Sequence, residues 1–470
     1  MASNGARPAS GARRAGPQTS SQAGLHKLRG VQEPGAAQEA GHAEEGLGPD
    51  FTASNGSEPA ALSPASGLLE LAERALARGA PEEALEPAQK ALRLLDTATA
   101  QCTVEALPAL SILATVNLEL GEADTARDLF LQAVALDPEG EASTSLSGDA
   151  TSRAENYLWL AQLSEEGGEE SVRYYKQGIS ILDREIHQLE TELKTQSGNP
   201  ETKPHKQAMQ IARDSRLKAK QKQLASAHCS IVEIYMTDLS LELDAERMCE
   251  THIDLALAAA AWAPEPLQTL ASVRISQGQI EQARGALQRS MALWTNPEEE
   301  EEEDEDHAAN DALRQDGQDA TPDFPTRISL TRLLMEVEME EQALAVLETM
   351  VQEDDRSVEA WYLGGWCLYL LGRRGQMGTR GDRMGGEAEK GGAGEEEDGR
   401  VRAALISSLE WFRRALRLYE ILEYEDERLR DHAVELVEEL EGMVGAGSIE
   451  EDEEDDARTE DIEDEDMGGM

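Results

Sequence analysis

Leu107 to Pro138 reads LPALSILATVNLELGEADTARDLFLQAVALDP, and the fold turns on this stretch. Its spacing predicts two antiparallel helices joined at Gly121. The first presents Leu110, Leu113 and Ala114; the second presents Ala126, Phe130 and Ala133, and Pro138 ends it. Counting Leu107 as position 1, small residues fall at 8, 20 and 27, glycine at 15, an aromatic at 24 and proline at 32. Small side chains at those places let two helices approach closely, and larger ones fill the gaps between them. One such hairpin cannot bury its apolar face by itself, so the pattern predicts more hairpins stacked on it.

This is the template of the tetratricopeptide repeat, roughly 34 residues per hairpin. It recurs at 65–98 with Ala72, Gly79, Ala84 and Ala91, where Ala88 replaces the aromatic, as suits a terminal repeat. At 154–196, Ala161 and Ser171 stand ten residues apart where the template asks for twelve, which shortens the hairpin loop. A fourth unit, 205–260, begins with a long helix from about His205 to Met236 and resumes after an enlarged turn at Ala245, Cys249 and His252. Further units follow at 264–297, 324–356 and 358–424. In the last, Gly364, Gly365 and Gly372 open the hairpin, a Gly/Arg/Glu insertion at 373–400 swells its loop, and Ser408, Phe412 and Ala415 restore the spacing. An amphipathic helix at 426–443 is expected to cap the stack. The expected fold is therefore an all-α, TPR-type solenoid of about seven hairpins over 64–443. An Ala/Gly/Ser/Pro-rich segment at 1–60, an acidic linker at 298–323 and an acidic tail at 444–470 are expected to be disordered or to link.

The 470-residue chain carries a formal net charge of -51 and a pI near 4.4. Glu298 to Asp306 supplies nine of these charges and Glu450 to Asp466 a net twelve, which leaves -30 elsewhere. The acidity therefore belongs to the folded part too. It argues against direct binding of nucleic acid or an anionic membrane and for a basic partner. Cys102, Cys229, Cys249 and Cys367 lack paired spacing and no secretory signal is visible, so reduced thiols in the cytoplasm and nucleus are expected. No apolar stretch reaches the roughly 20 residues of a membrane helix. The acid-free start, Met1 to Gln32, holds Arg7, Arg13 and Arg14 as a mitochondrial transit peptide would, but only Leu25, Leu28 and Val31 as large apolar residues. The one basic stretch is Lys203, Lys206, Arg213, Arg216, Lys218, Lys220 and Lys222. It reads either as a docking patch for an import receptor or as a solvated helix face balancing nearby acids.

No catalytic constellation is visible, so no enzyme is expected, and neither a cofactor nor a metal. The eight histidines are dispersed, and GxSxG, HExxH and GxxxxGK[ST] are absent. Cys249 and His252 share a helical face but have no matching pair at zinc-ligand spacing, so they are expected to pack in a core.

In such a stack, the first helix of each hairpin lines the concave groove through positions 2, 5, 6, 9, 12 and 13. That register selects Glu119 from the second repeat, and Trp159, Gln162, Glu165 and Glu166 from the third. It selects Glu265, Gln268 and Ser272 from the fifth, Glu336 from the sixth, and Glu359, Tyr362, Trp366 and Tyr369 from the seventh. Carboxylates beside exposed aromatic faces suit Lys and Arg side chains, so an extended basic polypeptide is the expected ligand. Individual aromatics such as Trp159 or Tyr369 equally fit packing between repeats. A groove for the acidic C-terminus of a heat-shock chaperone would instead need Lys, Arg and Asn at these positions.

The segments YLWLAQLSEEGGEESVRYY, EPLQTLASVRISQ, LLMEVEMEEQALAVLE, WYLGGWCLYLLG and YEDERLRDHAVELVEELE resemble the fungal dedicated assembly chaperones of large-subunit ribosomal protein four, in the right order across about 65–445. The resemblance implies capture of the newly made ribosomal protein, shielding of its long basic internal loop, escort to the nucleus and release into the pre-60S particle. It carries over no individual contact residue. The rival readings are a TPR-type histone chaperone and a generic scaffold adaptor.

Overall fold

A computed structural model describes residues 64–99, 104–142, 153–196, 204–295, 321–385 and 393–444. The segment 1–60, the acidic run Glu298–Asp306 and most of its linker, and the tail beyond 444 lie outside the described residues. All described regular structure is helical. The chain divides into two compact units, Met1–Thr269 and Leu270–Met470.

The first unit holds α1 (Pro64–Ala77), α2 (Pro81–Thr99), α3 (Leu107–Glu119), α4 (Ala123–Leu136), α5 (Arg153–Gln162), α6 (Gly168–Gln196), α7 (Pro204–Met236) and α8 (Ala245–Ala259). The next helix, α9 (Glu265–Ser276), contains the division. The second unit continues with α10 (Ile280–Thr295), α11 (Phe324–Glu336), α12 (Glu340–Glu353), α13 (Val358–Gly385), α14 (Ala393–Ile421) and α15 (Glu427–Val444). Consecutive helices pack as hairpins within each unit, so the fold is the all-α TPR type.

The template residues act as their chemistry requires. Ala72, Ala84, Ala88, Ala91, Ala114 and Ala126 are wholly buried where helices meet, and Phe130 fills the gap beside Ala114 and Ala126. Gly121 has φ +82. It closes α3 with two capping bonds, its own N–H donating to Leu118 O at 3.0 Å and Glu122 N–H to Asn117 O at 2.8 Å. This is the Schellman geometry, which glycine enters without a Cβ penalty. The same pair of bonds ends α1 at Gly79, α9 at Gly278 and α11 at Glu338. Glu338 thus occupies the glycine position with φ +61.

The Gly/Arg/Glu segment of the last repeat differs from the expected swollen loop. α13 runs on to Gly385 and α14 begins at Ala393, so most of the insertion lengthens both helices. The segment contains no proline, and its glycines permit close packing rather than breaking the helix. A Cβ on Gly372 would lie 2.6 Å from Leu405, and one on Gly375 would lie 2.4 Å from Val401. α15 is capped by Asp426, whose carboxylate accepts from Arg428 N–H at 3.0 Å and Leu429 N–H at 3.1 Å. It buries Leu429, Ala433, Leu436, Leu440 and Val444, the stripe that seals the second unit's end.

Candidate protein-binding surface

The groove residues divide between the units. In the first, Glu119 ends α3 and is exposed, and Glu165 and Glu166 follow α5, also exposed. Arg127 of α4 pairs with Glu165 at 2.5 Å. Trp159 is half-buried and stacks on Phe130, with ring centroids 6.4 Å apart and planes 14° apart. It packs between the second and third repeats. Gln162, one turn further along α5, encloses its amide oxygen where no described donor reaches it. Glu265 accepts from Lys222 at 2.8 Å through one carboxylate oxygen, and its other oxygen is enclosed without a described donor. Gln268 is buried beside it.

Lys222 is one of the basic residues of α7, and its neighbours are used the same way. Lys220 pairs with Glu185 of α6 at 2.9 Å, and Arg213 stands 3.9 Å from Glu192 of that helix. At Arg213, Lys220 and Lys222 the basic stretch is thus an internal counter-charge to α6 and Glu265.

In the second unit Glu336 is exposed at the end of α11, and Ser272 is half-buried on α9. Glu359 is half-buried and pairs with Arg332 of α11. Burial raises its carboxyl pKa above the usual range; Asp426 adds to the rise and Arg332 opposes it. Tyr362, Trp366 and Tyr369 of α13 face the capping helix. The Tyr362 hydroxyl lies 2.7 Å from His432 Nδ1. Burial, with Asp426, pushes that phenol up to about 12 against the opposing Arg332. Trp366 meets the His432 ring edge-on at 5.3 Å. Tyr369 donates to Glu439 at 2.9 Å, and Arg373 sits 5.8 Å over its ring. These side chains are engaged by α15 and by Arg373, so their faces differ from the open platforms the register implies.

Among the six carboxylates the register selects, Glu165, Glu265 and Glu359 hold internal cations; Glu119 and Glu336 end helices and Glu166 lies in the α5–α6 turn, all three exposed. The register could not reveal the partners Arg127, Lys222 and Arg332, because each lies on another helix. Cys249 and His252 are buried on α8. His252 Nδ1 lies 2.9 Å from Nδ1 of the buried His228, and no group of three metal-binding side chains occurs among the described residues. No described helix is long and apolar enough to cross a membrane.

No protein-family model matches the chain. It is 40% identical over 398 residues, 84% of its length and 85% of the relative's, to the "Probable assembly chaperone of rpl4" of Emericella nidulans. It is 32% identical over 357 residues, 76% of its length and 87% of the relative's, to the protein of the same name in Schizosaccharomyces pombe. Among solved structures, "Assembly Chaperone of RpL4 (Acl4) (Residues 1-338)" aligns with a TM-score of 0.53 and 38% identity, covering 67% of this chain and 99% of that one. The helical-hairpin scaffold and these similarities along most of its length place the chain in the family of rpl4 assembly chaperones.

Proposed function

We propose that the chain is a dedicated, non-enzymatic chaperone of large-subunit ribosomal protein four. It captures the newly made protein, shields its basic internal loop on the acidic groove residues, accompanies it from cytoplasm to nucleus and yields it to the pre-60S particle. The observation that carries this reading is the 40% identity to a named rpl4 chaperone over 84% of the chain. The chemistry supports it. A loop built to lie against RNA is a flexible polycation when unbound, and an acidic surface imitates the phosphates it awaits. Ribosomal RNA offers a denser array of charge and can outcompete that surface. Glu119, Glu166 and Glu336 are exposed for first contact. The exposed Arg127–Glu165 pair is worth no more than about 1 kcal/mol, so an incoming arginine can replace Arg127 at little cost.

Affinity purification of the tagged full chain at moderate salt, with mass spectrometry of the bound proteins, tests the reading. Ribosomal protein four should dominate. Histones recovered without it would instead make the chain a histone chaperone, and a mixture with no preference for basic proteins would make it a scaffold adaptor.

A further inference from the structure

The turn between α7 and α8, Thr237 to Asp244, spans eight residues where those after α1, α3, α9 and α11 have three. It carries two leucines almost wholly in solvent: Leu241 is 96% exposed and Leu243 106%. The turn is held by its own hydrogen bonds. Leu239 N–H donates to Ile234 O at 2.9 Å, Glu242 N–H to Leu239 O at 3.0 Å, and the Ser240 hydroxyl to Thr237 O at 2.7 Å. Leu239 packs inward on the core around Tyr175 and Ile231, while Leu241 and Leu243 point out. Single exposed leucines are ordinary, but two on one anchored turn concentrate apolar surface that folding leaves uncovered.

The surroundings indicate what covers it. Asp238 accepts from Gly168 N–H at 3.1 Å, and a Cβ added to Gly168 would stand 3.3 Å from Leu239 Cδ2. The α7–α8 turn is thereby joined to the α5–α6 turn, which bears Glu165 and Glu166 of the groove. Their charges meet as well. The Tyr235 phenol is raised first by burial, then by Asp244 of one turn and Glu169 at the start of α6, with Arg247 opposing and Glu242 adding. Glu242 stands between the two leucines in sequence and is exposed. Apolar side chains set among carboxylates fit a chain in which apolar residues neighbour lysine or arginine. They do not favour a second copy of this chain, whose net charge is also -51.

We propose that the Leu241–Leu243 turn is an apolar anchor for the basic polypeptide that the groove holds, taking apolar side chains of a segment whose flanking Lys or Arg residues meet Glu166 and Glu242. The inference rests on the chaperone reading for its ligand and adds a contact of a different kind. Charge attraction is long-ranged, screened by salt and offered to any polycation, whereas apolar burial is short-ranged and unscreened. The turn therefore distinguishes the client from other basic chains, which carboxylates alone do not.

Calorimetry with recombinant ribosomal protein four, at several temperatures and salt concentrations, compares the full chain with its Leu241→Ser/Leu243→Ser variant. The variant should bind about tenfold more weakly, with a less negative heat capacity of binding and an unchanged salt slope. Oligolysine, which offers charge alone, should bind both proteins equally. Leu241→Met/Leu243→Met, which keeps the apolar surface, should bind like wild type. Both positions are exposed, so the serine variant should keep its helicity and urea midpoint. Equal affinity of wild type and serine variant for ribosomal protein four, or an equal loss toward oligolysine, overturns the anchor and leaves the chaperone reading in place. So does a wild-type dimer in sedimentation that the serine pair dissociates, because the leucines would then cover each other. Failure of the wild type to bind ribosomal protein four overturns the chaperone reading and the anchor together.

Discussion

Gly364→Ala isolates the packing between α13 and α14 in the second unit. Gly364 lies inside α13, where an added Cβ would stand 2.0 Å from Trp411 Cζ3 and 2.1 Å from Cε3. Carbon atoms rest about 3.5–4.0 Å apart, so the indole would have to retreat by roughly 1.5 Å. It cannot retreat freely, because Trp361 packs against it at a centroid distance of 4.7 Å. Overpacking of this kind costs about 1–3 kcal/mol, and a rigid ring belongs at the upper end. Alanine is the better helix former by about 1 kcal/mol, which offsets part of that loss. The net expectation is a destabilisation of about 1–2 kcal/mol. Gly285, within α10 of the same unit, has nothing within 4 Å of its imagined Cβ. Gly285→Ala should therefore stabilise by about 0.5–1 kcal/mol. Urea unfolding of the full chain, followed by tryptophan emission and helicity, reads both variants. A chain of two units need not unfold in a single step, so the transition compared is the one that moves with both variants. A Gly364→Ala protein as stable as wild type would refute the packing described here, as would a destabilised Gly285→Ala.

His228 and His252 are each pushed down to about 4, chiefly by burial, with His252 adding at His228 and Lys176 at His252. Unfolded histidines titrate near 6.5, so the folded state binds fewer protons between those values. The stability this pair supports is complete above about pH 6.5 and is lost as pH falls toward 4, on the order of 3 kcal/mol per group. Urea midpoints measured at pH 7 and pH 5 should fall for wild type and change much less for a His228→Leu/His252→Leu double variant. Glu338→Gly should raise stability by about 1 kcal/mol through relief of its left-handed backbone; a drop in the unfolding midpoint would contradict that account. Asp426→Ala should cost about 1 kcal/mol by removing the cap of α15, and hydrogen exchange should quicken at its first turn.

The hairpins were legible because their signals are local. Alanine at positions 8, 20 and 27 marks where backbones meet, and Ala114 and Ala126 are wholly buried there. Glycine at 15 marks a left-handed cap, as Gly79, Gly121 and Gly278 show. The same rule misses Glu338, since nothing in its side chain announces that conformation. The Gly-rich stretch after Gly372 reads as a loop by composition, yet its glycines let α13 and α14 lie close, and only the packing of Leu405 and Val401 reveals this. The groove was legible as a list of positions but not as an electrostatic surface. Arg127 and Glu165, Lys222 and Glu265, and Arg332 and Glu359 are brought together by neighbouring helices, so spacing along the chain carries no sign of them. Likewise Tyr362, Trp366 and Tyr369 looked open until α15 supplied His432 and Glu439.

The central claim is that a basic polypeptide is held by carboxylates on the groove side of these hairpins. Its most direct test is the salt dependence of binding to the isolated basic loop of ribosomal protein four, measured by calorimetry for wild type and for Glu165→Lys/Glu166→Lys. Both sites are exposed, so the substitutions leave the core intact. Two lost attractions and two new repulsions, each about 0.25–0.5 kcal/mol at the surface, predict roughly a five- to thirtyfold loss of affinity and a shallower salt slope. An unchanged affinity with an unchanged slope would contradict the claim.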